Sequence, residues 1–134
     1  MLPLTTAINI KKEWHIAKAR GDTKKLMISV GCSTICLTEV VTCVSELAYN
    51  LFFHTQEGGV IEMSIIDPDG VLGIKITSHD NGPGIKSVTD ALEDGFSTNG
   101  GLGGGLPGVK RLMDDFQIFS SEAGTSITCV KWCT

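Results

Sequence analysis

Seven glycines fall between Gly95 and Gly108, and Gly82 and Gly84 stand just upstream. Sixteen of the 134 residues are glycine, about 12 % against the roughly 7 % of an average protein, and the excess is concentrated in this stretch. Too few side chains remain there to pack as a helix or strand. The stretch therefore reads as loop, needed for backbone freedom or for close approach of something to the main chain. The remainder must supply the core. A chain of 134 residues has room for a single domain, residues 1–134, that buries roughly two-thirds of its unfolded surface.

Periodicity places the elements around that loop. Residues 7–12 alternate apolar and polar, as a short edge strand does. Trp14, Ile16, Ala17, Leu26, Met27 and Val30 suit a helix from Glu13 to about Val30, interrupted in composition by Gly21-Asp22 and closed by Gly31. Ser33 or Thr34 is placed to cap a second helix over 35–55. There Val40, Val41, Val44, Leu47, Ala48, Leu51 and Phe52 recur at three- and four-residue spacing. Val60–Ile66 and Val71–Thr77 alternate as strands, joined by the turn Asp67-Pro68-Asp69-Gly70. Val88–Glu93 suits a short helix. Pro107 suits the first turn of another, running through Phe116. Gln117–Ser121 and Thr125–Trp132 close the chain as a hairpin. Helices segregated from an antiparallel-rich sheet imply an α+β, two-layer sandwich.

Composition excludes several functions. Hydrophobic residues make up 42 % and charged residues 19 %, a globular balance. A net charge of −4 leaves no basic excess for a phosphate backbone, so nucleic acid is not an expected partner. No apolar run is read as a membrane span and the N-terminus lacks the pattern of a signal peptide, so the expected location is cytoplasmic. The five cysteines are odd in number and read as reduced, small apolar residues. Cys32 and Cys36 lack metal-site spacing and a nearby His in sequence. Trp14 and Trp132 are expected to pack.

Three constellations carry chemistry. Glu46 and Asn50 are i and i+4 on the second helix and share a face close to its apolar stripe. A carboxylate can accept a proton there. A neutral amide oxygen suits Mg²⁺, which takes few protein ligands and leaves other positions to phosphates and water. The segment His79-Asp80-Asn81-Gly82-Pro83-Gly84 follows a strand. Its carboxylate can accept an N–H from a purine amine, and its glycines allow a flat ring near the backbone. The run from Gly100 to Gly108 enters a helix N-terminus, whose unpaired N–H groups and positive dipole end suit phosphates. It is neither a Walker loop nor a Rossmann fingerprint.

Taken in order and spacing, these elements resemble the Bergerat-fold (GHKL) ATPases. Glu46 with Asn50 is similar to the family's N box, Asp80-x-Gly82-x-Gly84 to its first glycine box, and Gly101-Leu102-Gly103-Gly104-Gly105-Leu106 to its second. Gly124-Thr125 is similar to the segment holding the family's adenine-site threonine. Within that superfamily, Ser45–Asn50, Glu93–Thr98, Gly103–Asp115 and Val130–Trp132 resemble the stressosome serine/threonine switch kinases (RsbT-type), in the anti-sigma-factor kinase branch. The resemblance covers essentially the whole chain. Two positions depart from it: Tyr49 stands where relatives often carry Arg, and Gly104 replaces a larger residue in the second glycine box.

The resemblance implies a mixed, mostly antiparallel sheet and a kinase using ATP and Mg²⁺. Its substrate would be a Ser or Thr on a STAS-domain stressosome scaffold. Release from that scaffold would then free the kinase to capture a downstream phosphatase or other output regulator. Glu46 would orient or deprotonate the acceptor hydroxyl, and Asn50 would ligate Mg²⁺. Asp80, Gly82, Gly84 and Thr125 would hold adenine, and Gly101–Leu106 the phosphates. Lys110 reads as helix surface, and His15, His54 and His79 as non-catalytic. The alternative is a nucleotide-gated module that sequesters a partner with little or no transfer. A positioned carboxylate such as Glu46 favours the kinase.

Overall fold

The computed structural model describes residues 5–55, 57–82 and 105–133. Five strands form one sheet: β1 (Thr5–Ile10), β2 (Gly59–Ile66), β3 (Gly73–Asp80), β4 (Asp115–Ser121) and β5 (Gly124–Trp132). Their order is β1-β2-β3-β5-β4 and every pairing is antiparallel, so the sheet is not mixed among the described residues. Among the described residues three helices accompany it: α1 (Trp14–Ser29), α2 (Thr34–His54) and α3 (Gly105–Leu112). The expected short helix over Val88–Glu93 and most of the glycine loop lie outside the described residues.

The period-two pattern decides which sheet face is covered. Ile8 and Ile10, Ile61 and Met63, Ile74 and Ile76, and Ile127 and Cys129 are all buried. The intervening Asn9, Glu62 and Lys75 are exposed. Helix α2 crosses the apolar face, meeting β1, β2, β3 and β5, with α1 and α3 packed against it. Its contribution to the core is Val40, Val44, Leu47, Ala48 and Leu51. Each large aliphatic side chain removed from water contributes roughly 1.5–3 kcal/mol, so this interface is the main source of stability.

Helix ends follow their sequence signals. Gly31, at φ 76°, follows α1, where the N–H groups of Gly31 and Cys32 close on the carbonyls of Ile28 and Met27. This double closure needs a left-handed residue after the helix, which glycine adopts without strain. Helix α1 passes through Gly21 and Asp22 without a break. The Ser33 hydroxyl accepts from Cys36 N–H at 3.2 Å and caps α2.

Several expectations shift. Helix α3 starts at Gly105 and ends at Leu112, and Phe116 belongs to β4, whose outward and inward positions alternate. The segment from Asp67 to Gly70 is a 3-10 turn with Asp69 at φ 55°. Trp14 is 60 % exposed, its ring 4.2 Å from that of His15, and does not pack in the core. By length and composition α2 could cross a bilayer, contrary to the reading that no run is long enough. Here it is the core helix of an α+β sandwich and carries a buried carboxylate.

Candidate functional site

Strand parity sets the site. Along β3 the inward positions are Ile74, Ile76 and Ser78, and Asp80 is the next of the same parity. Along β5 they are Cys129, Ile127 and then Thr125. Asp80 pairs directly with Thr125, and Thr125 with Ser120 on β4. Three polar side chains therefore stand in one row on the helix-covered face, at one end of the sheet. Thr125 is buried, and its Oγ1 lies 2.9 Å from Ser120 Oγ. Asp80 Oδ1 accepts from Gly82 N–H at 2.8 Å, a local turn that fixes the carboxylate.

Two glycines keep this row open. Gly124 sits at φ 142°, and a Cβ there would strike the Asp80 carbonyl oxygen. At Gly59, on the β2 side of Asp80, a Cβ would meet the His79 carbonyl, Leu51 Cδ2 at 2.7 Å and Asp80 Cβ at 3.2 Å. Leu51, Gly59 and Asp80 are thus neighbours, which brings the last turns of α2 to the Asp80 end of the sheet. Asn50 precedes Leu51, and Glu46 lies one turn earlier on the same helix.

Glu46 is 1 % exposed. Withdrawing a carboxylate from water is costly, so its place in the core helix is not explained by packing. Asn50 Oδ1 is buried and has no hydrogen-bond donor among the described residues. An oxygen with both lone pairs available is what a hard cation such as Mg²⁺ takes from a protein, so Asn50 fits that ion.

Helix α3 packs against α2 and begins at Gly105, which has φ 71° and is buried, as is Leu106. Its first N–H groups have no intrahelical acceptor, as at any helix start. Gly84, Gly101, Leu102, Gly103 and Gly104 lie outside the described residues. A cleft of about 1290 Å³ opens at the same end of the sheet, lined by Asp80, Asn81, Gly82, Gly59, His54 and Thr55 among others. Glu46, Asn50 and Thr125 do not line it.

The remaining candidates are peripheral. Lys110 is exposed. His79 points to the opposite face, its Nδ1 2.7 Å from Ser126 Oγ. His15 Nδ1 accepts from the N–H groups of Lys11 and Lys12 ahead of α1. Tyr49 packs its ring on Phe53 at 4.2 Å. Ser120 and Gly59 were not singled out by sequence reasoning. A signal for Ser120 existed: a two-residue hairpin loop at Glu122-Ala123 fixes Ser120 opposite Thr125.

Residues 8–131 match the histidine kinase-like ATPase domain family. The serine/threonine-protein kinase RsbT of Bacillus subtilis (strain 168) is 41 % identical over 128 residues, covering 95 % of this chain and 96 % of RsbT. The chain belongs to the histidine kinase-like ATPase family, in its RsbT-type branch. The anti-sigma F factor of Bacillus cytotoxicus is 34 % identical over 103 residues, covering 72 % of this chain and 69 % of that protein. Among solved structures, the RsbU and RsbW domains of a Mycobacterium tuberculosis protein superpose with a TM-score of 0.66 at 14 % identity, which shows the shared fold. The match covers 97 % of this chain and 32 % of that one. The histidine kinase domain of a blue-light-activated protein from Erythrobacter litoralis superposes at 0.58. The Bergerat-type, α+β reading of the sequence agrees with these matches.

Proposed function

We propose that this chain is an ATP-dependent protein serine/threonine kinase acting on another regulatory protein. The observation that carries the proposal is the buried pair on α2. Glu46 and the Asn50 amide oxygen are withdrawn from water on one helix face, in a chain 41 % identical to a serine/threonine kinase along almost its full length.

Each residue has a role in this reading. The Asp80 carboxylate, with Oδ1 held by Gly82 N–H, accepts the adenine amine through its other oxygen. Thr125, steadied by Ser120, supports the same edge of the base. Gly82 and Gly84 leave room for the ring. Backbone N–H groups of Gly101–Leu106, at and before the start of α3, bind the phosphates. Asn50 would hold Mg²⁺, which when bound neutralises phosphate charge. Glu46 receives the proton of the acceptor hydroxyl as the hydroxyl oxygen attacks the γ-phosphorus, and the bond from that phosphorus to the β-phosphate oxygen breaks to release ADP. Phosphoryl transfer is mostly positioning and charge neutralisation, so this set suffices.

The proposed acceptor is a Ser or Thr of a STAS-domain scaffold. A downstream phosphatase or other output regulator would be the second partner, with the exchange taking place in the cytoplasm. The likeness to RsbT and to anti-sigma factors supports exchange between regulators of this kind. The test is incubation of the chain and a STAS-domain acceptor with Mg²⁺ and γ-labelled ATP. Acid-stable label on a Ser or Thr of the acceptor is expected. ATP binding and acceptor binding without any labelling would replace the kinase with a nucleotide-gated sequestration module.

A further inference from the structure

At the opposite end of α2 from Asn50, three cysteines converge. Cys32 lies in the α1–α2 turn, Cys36 in the first turn of α2, and Cys133 just after β5. Their Sγ atoms all lie within 4.8 Å of one another, with Cys36 and Cys133 at 3.3 Å. Cys36 is buried, and Cys32 and Cys133 are half-buried. In sequence, Cys32 and Cys36 lack both metal-site spacing and a nearby partner. Chain folding supplies a partner in Cys133, 97 positions after Cys36.

We propose that Cys32, Cys36 and Cys133 form a three-thiolate site for a thiophilic d¹⁰ cation of the Zn²⁺ class. Three sulfurs about 2.3 Å from one ion at tetrahedral angles stand a little under 4 Å apart, close to the separations found here. Among the described residues no fourth His, Cys or carboxylate joins the group, which leaves one position to water. Each thiol that ligates gives up its proton to solvent, so up to three protons leave as one cation enters. The ion would tie the start of the helix bearing Glu46 and Asn50 to the end of β5. About fifteen ångströms of helix separate Cys36 from Glu46, so the site is distinct from the nucleotide site.

The test uses the whole chain, fully reduced and freed of metal by chelation. Titration with Co²⁺ is expected to give one equivalent per chain, a near-ultraviolet thiolate-to-cobalt charge-transfer band and the visible bands of tetrahedral Co²⁺. Zn²⁺ should displace it and raise the melting temperature. C36S and C133S should each weaken binding by at least about 100-fold, more than loss of a supporting residue around a metal does. C43A, outside the cluster, should bind as wild type. Because the wild-type spectrum itself reports sulfur ligation, the proposal stays testable if a variant fails to fold. Absence of the charge-transfer band in the reduced wild-type chain overturns it. Equal Co²⁺ affinity in folded C36S overturns it as well.

Discussion

Asp80 concentrates the base-reading claim in one side chain. Its carboxylate is fixed from within by Gly82 N–H and stands beside Thr125 on the inner sheet face. Hydrogen bonds to charged groups contribute about 1.5–3 kcal/mol, so D80N is expected to weaken ATP binding roughly 10- to 100-fold. Calorimetric titration checks this, and unchanged affinity would remove Asp80 from the adenine site. Gly124 tests the same place through sterics. G124A forces a Cβ towards the Asp80 carbonyl at φ 142° and should lower stability by about 1–3 kcal/mol, measured by denaturant unfolding. Glu46, Asn50, Asp80 and Thr125 could be named from sequence because each stands in a short motif with fixed spacing. Ser120 was legible through the two-residue loop that sets it opposite Thr125, whereas Gly59 could not be named, since it matters only through register with a distant strand. The cysteine cluster escaped for the same reason: Cys133 meets Cys36 only after the sheet has formed.

Helix α2 and the sheet are where local signals were clearest. The three- and four-residue apolar spacing of 35–55 and the alternation in β2 and β3 both report one buried face, and the structure buries those faces against each other. Boundaries were less legible. Phe116 looked helical because it continues the apolar spacing of Val109 and Met113, yet pairing with Cys129 draws it into β4. Glycines before Pro107 hid the true start of α3 at Gly105, where a left-handed residue leads directly into the helix. The Ser33 cap gives an element-scale prediction. S33A removes the hydroxyl that accepts from Cys36 N–H and should cost about 1 kcal/mol, or about 3–5 °C in Tm, by calorimetry. No loss would mean that water satisfies the first turn of α2 equally well.

Across the whole molecule, burial couples stability to pH through a core thiol. Cys43 is held well above its ordinary value of 9.0, first by its contact with Cys129 and then by burial. A raised folded-state value means that the folded chain keeps a proton which the unfolded chain gives up. The stabilisation is therefore complete below about pH 9 and is lost as pH rises beyond it. Denaturant unfolding of the reduced chain at pH 7.5 and pH 10 should show a drop that is smaller in C43A; an equal drop would place the effect elsewhere. At this scale the fold is a sandwich in which Asp80 and Thr125 pair at one end of the sheet, the end that the proposed function assigns to the nucleotide. In the proposed function Glu46 serves transfer and not nucleotide binding. The most direct measurement compares E46Q with wild type in two readouts on the same preparation: ATP affinity, and the rate of phosphate transfer to a STAS-domain acceptor. ATP affinity within a few-fold of wild type, with transfer slowed by about 10²–10⁴, is the expected split for loss of a proton acceptor. Transfer at the wild-type rate by E46Q would contradict the account.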